Sequence, residues 1–314
     1  MGAMTLVVDQ RGAKLALVGS GVLVVTYADG TVHRAGLGTL RCVLVHGDCA
    51  LSASLLRACR DEKVGVLLIP GRGAGAPLHL LPTEPSLARL RHAQHLCYAD
   101  DVVRLALARR LVAAKIEEQS RLLESHGPAP DLRRFVHTLP DAPDIATLMG
   151  IEGAVAAAYF GAWANALPRP WSFPYRNRRP PQDPVNALLS LGYTLALHYV
   201  GRYAMCYGLD PAVGFLHGPQ RNRPALALDL IEPVRPWVDE WVWQCLKTGA
   251  LTPERFTISE IEGCRLDKAG REIFYGMWFK NEDTWFSAPT RAALALLLKG
   301  LRPYRGSQEE REQD

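Results

Sequence analysis

Two sets of residues have the types and spacing to do chemistry. The first is Glu152, the lone acid of Gly150-Ile151-Glu152-Gly153-Ala154 inside the nearly charge-free run Ala146–Leu167. A carboxylate in such surroundings must be paired, protonated or metal-bound, because burying it charged and alone is costly. The plainer alternative is a Glu that reaches solvent or an Arg. The second set is His217, Asp229 and Glu232, spaced H-x11-D-x2-E across Gly214-Phe215-Leu216-His217 and Asp229-Leu230-Ile231-Glu232-Pro233. A helical turn would put Asp229 and Glu232 on one side. Imidazole with carboxylates suits a divalent ion such as Mn²⁺ or Mg²⁺ better than a structural zinc. Two alternatives stand beside this. Asp229 could cap the helix that Pro233 helps to begin, and Glu232 could pair with Arg235, three residues on.

A basic segment lies between these sets. From Arg169 to Arg223 there are seven Arg, no Lys and only Asp183 and Asp210, interleaved with Trp171, Phe173, Tyr175, Tyr193, Tyr199, Tyr203 and Tyr207. Guanidinium groups bind phosphates bidentately and aromatic rings stack on unpaired bases. The alternative is a solvated Arg loop with core aromatics. Arg178, Arg179 and Arg223, followed by Arg221, are the expected phosphate contacts.

The elements that must position these residues fall into two parts. With 314 residues the chain is long enough for two domains, and 48% apolar with 22% charged residues excludes general disorder. The formal net charge of +4 is too mild to identify a nucleic-acid binder. Residues 1–82 read as β-rich, with runs at Leu6–Val8, Lys14–Val18, Val22–Thr26 and Val43–Val45 broken by Asp29-Gly30 and Gly47-Asp48. This pattern predicts a small sandwich, with one helix over 52–62 and a further apolar run at Val64–Ile69. Gly71–Gly75 lacks the Gly-Lys-Ser/Thr ending of a phosphate loop and is read as a surface loop. Pro82–Pro85 reads as a linker.

From 86 to 305 the pattern is mainly helical. Ser86 can cap a helix through Leu87, Leu90 and Leu96. Asp100 or Asp101 can start another whose apolar face carries Val102, Leu105, Leu111, Val112 and Ile116. A hairpin is expected within Phe256–Phe279, with Thr257-Ile258 and Ile273–Tyr275 as strands around Asp267–Gly270. Residues 306–314 form a polar tail. The fold class is therefore α+β: an N-terminal β-sandwich-like domain followed by a mainly α-helical catalytic domain.

Seven cysteines without C-x-x-C spacing argue against zinc knuckles and fit reduced thiols in a cytoplasm. The opening Met1-Gly2-Ala3-Met4 has no basic stretch before a long apolar run, so no signal peptide is expected. Ala146–Leu167 is long enough to span a bilayer. Glu152 among Gly and Ala favours instead a buried helix carrying one functional carboxylate, and no membrane partner is expected.

Several motifs occur in order over residues 115–239. They are Lys115-Ile116-x-x-Gln119; Gly150-x-Glu152-Gly153 with Tyr159-Phe160; Asn177-Arg178-Arg179-Pro180-Pro181-x-Asp183-Pro184-Val185-Asn186-Ala187-Leu188-Leu189-Ser190 with Gly192-Tyr193; Gly214-Phe215-Leu216-His217; and Asp229-Leu230-Ile231-Glu232-Pro233-x-Arg235-Pro236-x-Val238-Asp239. Together they resemble the CRISPR adaptation integrases, the CRISPR-associated endonucleases that are protein one of their numbered set. One departure is Glu118, where the family usually has Asn beside Gln119.

The resemblance implies Glu152, His217 and Glu232 as ligands of Mg²⁺ or Mn²⁺, with Asp229 as an accessory acid at the catalytic centre. It also implies a homodimer built through the β-rich domain, and a small ferredoxin-like CRISPR-associated partner, protein two of the set. The substrates would be double-stranded and branched DNA. The reaction would be insertion of short DNA segments into a repeat array by 3′-hydroxyl strand transfer. A transposon-borne integrase with the same site, and a DNA-binding scaffold without catalysis, are the alternatives.

Overall fold

The β-branched runs of the N-terminal part do form strands. The structure, a computed structural model, describes residues 4–70, 77–80, 88–127, 129–177, 180–218, 224–260 and 262–306. The chain divides into two compact units, Met1–Pro85 and Ser86–Asp314.

In the first unit, β1 (Met4–Val8), β5 (Leu40–His46), β7 (Gly65–Ile69) and β8 (Leu78–Leu80) make one sheet in the order β1-β5-β7-β8. A second sheet has the order β4-β3-β2-β6, from β2 (Lys14–Val18), β3 (Val22–Thr26), β4 (Val32–Gly36) and β6 (Ala50–Leu51). Val8, Val43, Val45 and Val66 of the first sheet share a core with Leu15, Leu23 and Val25 of the second, so the unit is sandwich-like. Alternation in β3 buries Leu23 and Val25 on one face. β5 is different: Leu40–Val45 are all buried, as suits a strand flanked by parallel neighbours β1 and β7. Those parallel pairings are not readable from strand spacing alone. At the β3–β4 turn, Gly30 has φ +85° and the Thr31 N–H donates to Asp29 Oδ1 at 2.9 Å. α1 (Ala53–Asp61) is capped by Ser52 and buries Leu55 and Cys59, one turn apart.

The second unit is mainly helical. It contains α2 (Ala88–Ala99), α3 (Asp101–Ser125), α4 (Ile145–Asn165), α5 (Pro184–Cys206), α6 (Ala225–Ile231), α7 (Arg235–Lys247) and α8 (Lys268–Gly306). Asp100, Asp144 and Asp183 cap α3, α4 and α5 by accepting backbone N–H groups of the first turn. Two expected helix faces change. The α3 face that packs is Leu107, Ala108, Leu111, Val112, Lys115, Ile116 and Gln119, whereas Val102 is 80% exposed, because the packed stripe begins one turn later. In α2, Leu90, Ala93, Gln94 and Cys97 are buried and Leu96 is exposed. The expected Ser86 cap and the Gly71–Gly75 and Pro82–Pro85 readings lie outside the described residues.

The hairpin is shorter than expected. β9 (Phe256–Ser259) pairs antiparallel with β10 (Gly263–Leu266). Asp267 then accepts the Gly270 N–H at 2.5 Å and starts α8, so Ile273–Tyr275 are helical. The local capping acid outweighs the turn-like Asp267–Gly270 composition.

α4 is the one described helix long and apolar enough to cross a membrane by length and composition. It is buried on one side only, through Leu148, Val155, Tyr159 and Trp163. Gly150, Gly153, Ala154, Ala157, Ala158 and Gly161 form its exposed side. The expected buried helix is thus buried along one side only. Apart from Met149, which is 44% exposed, the apolar outer residues are small, so exposing them forfeits little burial energy.

Candidate active site

Glu152 and Glu232 lie 80 residues apart in sequence and meet at one ammonium group. α4 carries Glu152 on the edge of its packed side. The single turn of 3-10 helix Glu232–Val234, between α6 and α7, carries Glu232. Between them stands Lys115 of α3, whose Nζ donates to Glu152 Oε1 and, at 2.5 Å, to Glu232 Oε2. The Lys115 side chain is only 7% exposed. The other Glu232 oxygen, Oε1, accepts from Arg235 Nε at 2.9 Å. Burial pushes the Glu232 carboxyl up, but Arg235 and then Lys115 overcome this and hold it well below the usual carboxylate range. The pairing of Glu232 with Arg235 therefore exists alongside the cluster.

His217 is presented to the same neighbourhood by a loop over 213–218. Its positive charge, when protonated, is among the influences that lower the Glu232 pKa. Asp229 of α6 organises the loop. One of its oxygens accepts the N–H groups of Phe215 and, at 3.0 Å, Leu216; the other lies 2.8 Å from both the N–H and the Nδ1 of His217. Asp229 is fully buried and its two oxygens are taken by these four donors. It is an anchor for the loop, and it neither caps the helix begun by Pro233 nor has an oxygen to spare. Donation from Nδ1–H to the Asp229 carboxylate leaves Nε2 as the ring nitrogen available to a ligand. Gly214 is required here: a Cβ would meet the Ala225 backbone at 2.7 Å and Asp229 Oδ2 at 2.8 Å. α2 and α3 pin the same loop from the other side. Gln94 donates to the carbonyls of Asp210 and Val213 at 2.9 and 2.7 Å, and Arg104 donates to that of Phe215 at 3.1 Å.

A second buried network ties the helices around the cluster. Asp239 of α7 accepts the hydroxyls of Tyr159 from α4, at 2.8 Å, and of Tyr193 from α5. Gly192 permits this approach, since a Cβ there would lie 2.8 Å from Val238. The Arg235 guanidinium lies over the Tyr193 ring, 4.6 Å from its centre. Burial raises the Asp239 pKa to about 6, against the lowering effect of both tyrosine hydrogen bonds and of Arg176 and Arg235.

The expected phosphate-binding residues Arg178, Arg179, Arg221 and Arg223 lie outside the described residues. Of the other arginines of the basic segment, Arg169 is exposed, Arg176 half-buried and Arg202 buried. Arg202 is buried over Tyr199, and Arg176 donates to Asn186 Oδ1 at 2.6 Å and to Ser190 Oγ at 3.3 Å. Asn186 is fully buried and also donates to the Tyr175 carbonyl at 2.9 Å and to Asp183 at 2.6 Å. It thereby fastens residues 175–177, which lead into Arg178 and Arg179, onto the start of α5. The departure at Glu118 is accommodated, since its carboxylate accepts from Trp237 Nε1 at 3.0 Å.

Among the described residues, no three His, Cys, Asp or Glu side chains converge as a ready cage for a metal. The donor set nonetheless suits a hard divalent ion. Two carboxylates close enough to share one ammonium can share one cation, and the His217 ring, oriented by Asp229, is near enough to act electrostatically on Glu232. Lys115, Arg235, Asp239 and the two tyrosines were not singled out as functional from the sequence. The signal for Lys115 was its place in the buried α3 series Leu111, Val112, Ile116 and Gln119, where a cation needs an anion.

Comparison with known proteins adds an independent line. Residues 6–280 match the family described as CRISPR associated protein Cas1. CRISPR-associated endonuclease Cas1 3 of Thermus thermophilus is 37% identical over 223 residues, covering 69% of this chain and 66% of its own length. Among solved structures, a CAS1 protein from Thermotoga maritima superposes with a TM-score of 0.86 at 22% identity, covering 96% of this chain and 97% of that one. A casposase bound to an integration product gives 0.82 at 22% identity, covering 95% and 91%. A Cas6-RT-Cas1–Cas2 complex gives 0.77 at 20% identity, covering 95% of this chain and 35% of the matched one. At these identities the structural matches show the shared fold.

Proposed function

The chain belongs to the CRISPR associated protein Cas1 family, and from that membership we propose that it is a divalent-metal-dependent DNA endonuclease and integrase. In this reading it inserts short DNA segments into a CRISPR repeat array. The observation that carries the reading is the meeting of Glu152 and Glu232, from separate elements, on one cationic group beside His217. Glu152, Glu232 and the Nε2 of His217 would hold Mg²⁺ or Mn²⁺. When bound, such an ion lowers the pKa of a nucleophilic hydroxyl and offsets phosphate charge.

The protein's own groups do the positioning. Asp229 holds the His217 ring in one tautomer and one orientation. Arg235 keeps Glu232 ionised within a buried setting. The Asp239 network fixes α4, and with it Glu152, against α5 and α7. Arg178, Arg179, Arg221 and Arg223 would align DNA phosphates, which decides whether water or a DNA 3′-hydroxyl attacks. In the joining reaction that hydroxyl forms a new phosphodiester and displaces another 3′-hydroxyl. The partners in this reading are double-stranded and branched DNA, a second copy of the chain in a homodimer, and a small ferredoxin-like protein of the Cas2 kind. The reaction would take place in the cytoplasm, where the DNA is.

A labelled short duplex and a supercoiled plasmid bearing a repeat, incubated with Mn²⁺ or Mg²⁺ and the small partner, test this. Label should enter the plasmid, and Glu152→Ala or Glu232→Ala should abolish it. Robust metal-dependent nicking without joining would make the protein a plain nuclease.

A further inference from the structure

The contacts of Lys115 bear on how an ion enters the site. Both oxygens of Glu232 are engaged, Oε1 by Arg235 and Oε2 by Lys115, while Glu152 Oε1 is also held by Lys115. The two carboxylates thus face two fixed cations, and their charges balance. A divalent ion shared by Glu152 and Glu232 would compete with Lys115 for Glu152 Oε1 and Glu232 Oε2. Adding it beside an unmoved Lys115 would place three cationic groups around two carboxylates in a largely buried space, which is strongly unfavourable.

We propose that Lys115 is a built-in counter-cation that competes with the divalent ion for Glu152 and Glu232 and must release both carboxylates when the ion binds. The proposal rests on the metal reading above and adds a residue that weakens metal binding while keeping the carboxylate pair together. Lys115 is a positioning residue in this role: it touches the proposed ligands and is not itself one. Its stem lies in the packed face of α3 and its ammonium is buried, so it is held at the pair by the fold.

Lys115→Met keeps the stem and removes the charge. Calorimetric titration with Mn²⁺ should show binding at least about tenfold tighter than in the unaltered protein, or roughly 1.4 kcal/mol. A lysine with a merely structural role would not tighten binding when removed. Equal or weaker affinity in Lys115→Met, with binding in both abolished by Glu152→Ala, overturns the competition and leaves the metal reading standing. Absence of Mn²⁺ binding in both proteins overturns both. Should Lys115→Met not fold, the unaltered chain supplies the test. Acylation of lysines, followed by mass spectrometry, should find Lys115 protected without metal and several-fold more reactive with saturating Mn²⁺. An unchanged rate overturns the proposal.

Discussion

The Oδ1 of Asp229 lies 2.8 Å from the backbone nitrogen of His217 and 2.8 Å from the Nδ1 of the same residue. One buried oxygen therefore fixes both the chain position and the ring orientation of the histidine. The H-x11-D spacing thus joins one candidate ligand, His217, to the acid that anchors it.

Asp229→Asn should expose this double duty. The amide presents N–H groups toward backbone N–H groups, leaving buried donors unpaired at about 1–3 kcal/mol each. A stability loss of at least about 2 kcal/mol is expected by urea unfolding. Metal affinity should fall by about 10–100-fold, as for other residues that orient a metal-binding histidine.

Arg235→Met removes one of the two cations that hold Glu232. Breaking a buried pair from one side costs about 3–5 kcal/mol. The double variant Glu232→Gln/Arg235→Met should lose less than the sum of its single variants, by more than about 1 kcal/mol. Denaturant unfolding of the four proteins measures this, and strict additivity would show that the two side chains do not interact.

Asp239 gives a pH signature. Its folded pKa is raised by burial from 3.8 to about 6, so the folded protein retains a proton that the unfolded chain has already released. The stabilising contribution is therefore complete below about pH 4 and is lost as pH rises through about 6. A shift of this size is worth on the order of 3 kcal/mol. Relative to Asp239→Asn, the unaltered protein should lose stability between these pH values and run parallel above them. Thermal unfolding across pH checks this, and parallel profiles throughout would place the Asp239 pKa at its ordinary value.

For the basic segment, the triple variant Arg178→Ala/Arg179→Ala/Arg223→Ala should weaken duplex binding and lower its logarithmic salt dependence by about 3, one for each lost phosphate contact. Binding titrations at several salt concentrations measure both. An unchanged slope would assign these arginines to the protein's own structure.

Much of this architecture is legible in the residues, for reasons that differ by element. β3 and α1 follow from alternation and capping, because Leu23, Val25 and Ser52 act locally. The parallel β1–β5–β7 order depends on long-range pairing that no local pattern encodes. The expected β-strand at Ile273–Tyr275 failed because Asp267 initiates a helix just ahead of it. At the site, Glu152, His217 and Glu232 stood out as polar residues in apolar company. Lys115 did not, because a lysine on a helix is ordinary until the opposing carboxylates are seen. Asp239 was visible only as the end of a motif, its two tyrosine partners lying 80 and 46 residues away.

The distance in sequence between Lys115 and Glu232, 117 residues, also sets an order of events during synthesis. Glu152 and Lys115 emerge from the ribosome well before Glu232, and His217 has no Asp229 to orient it until α6 is made. A chain interrupted anywhere before α6 would carry at most two of the three candidate ligands, and would lack the Asp229 that orients His217. The candidate site is thus completed only when most of the polypeptide has been made.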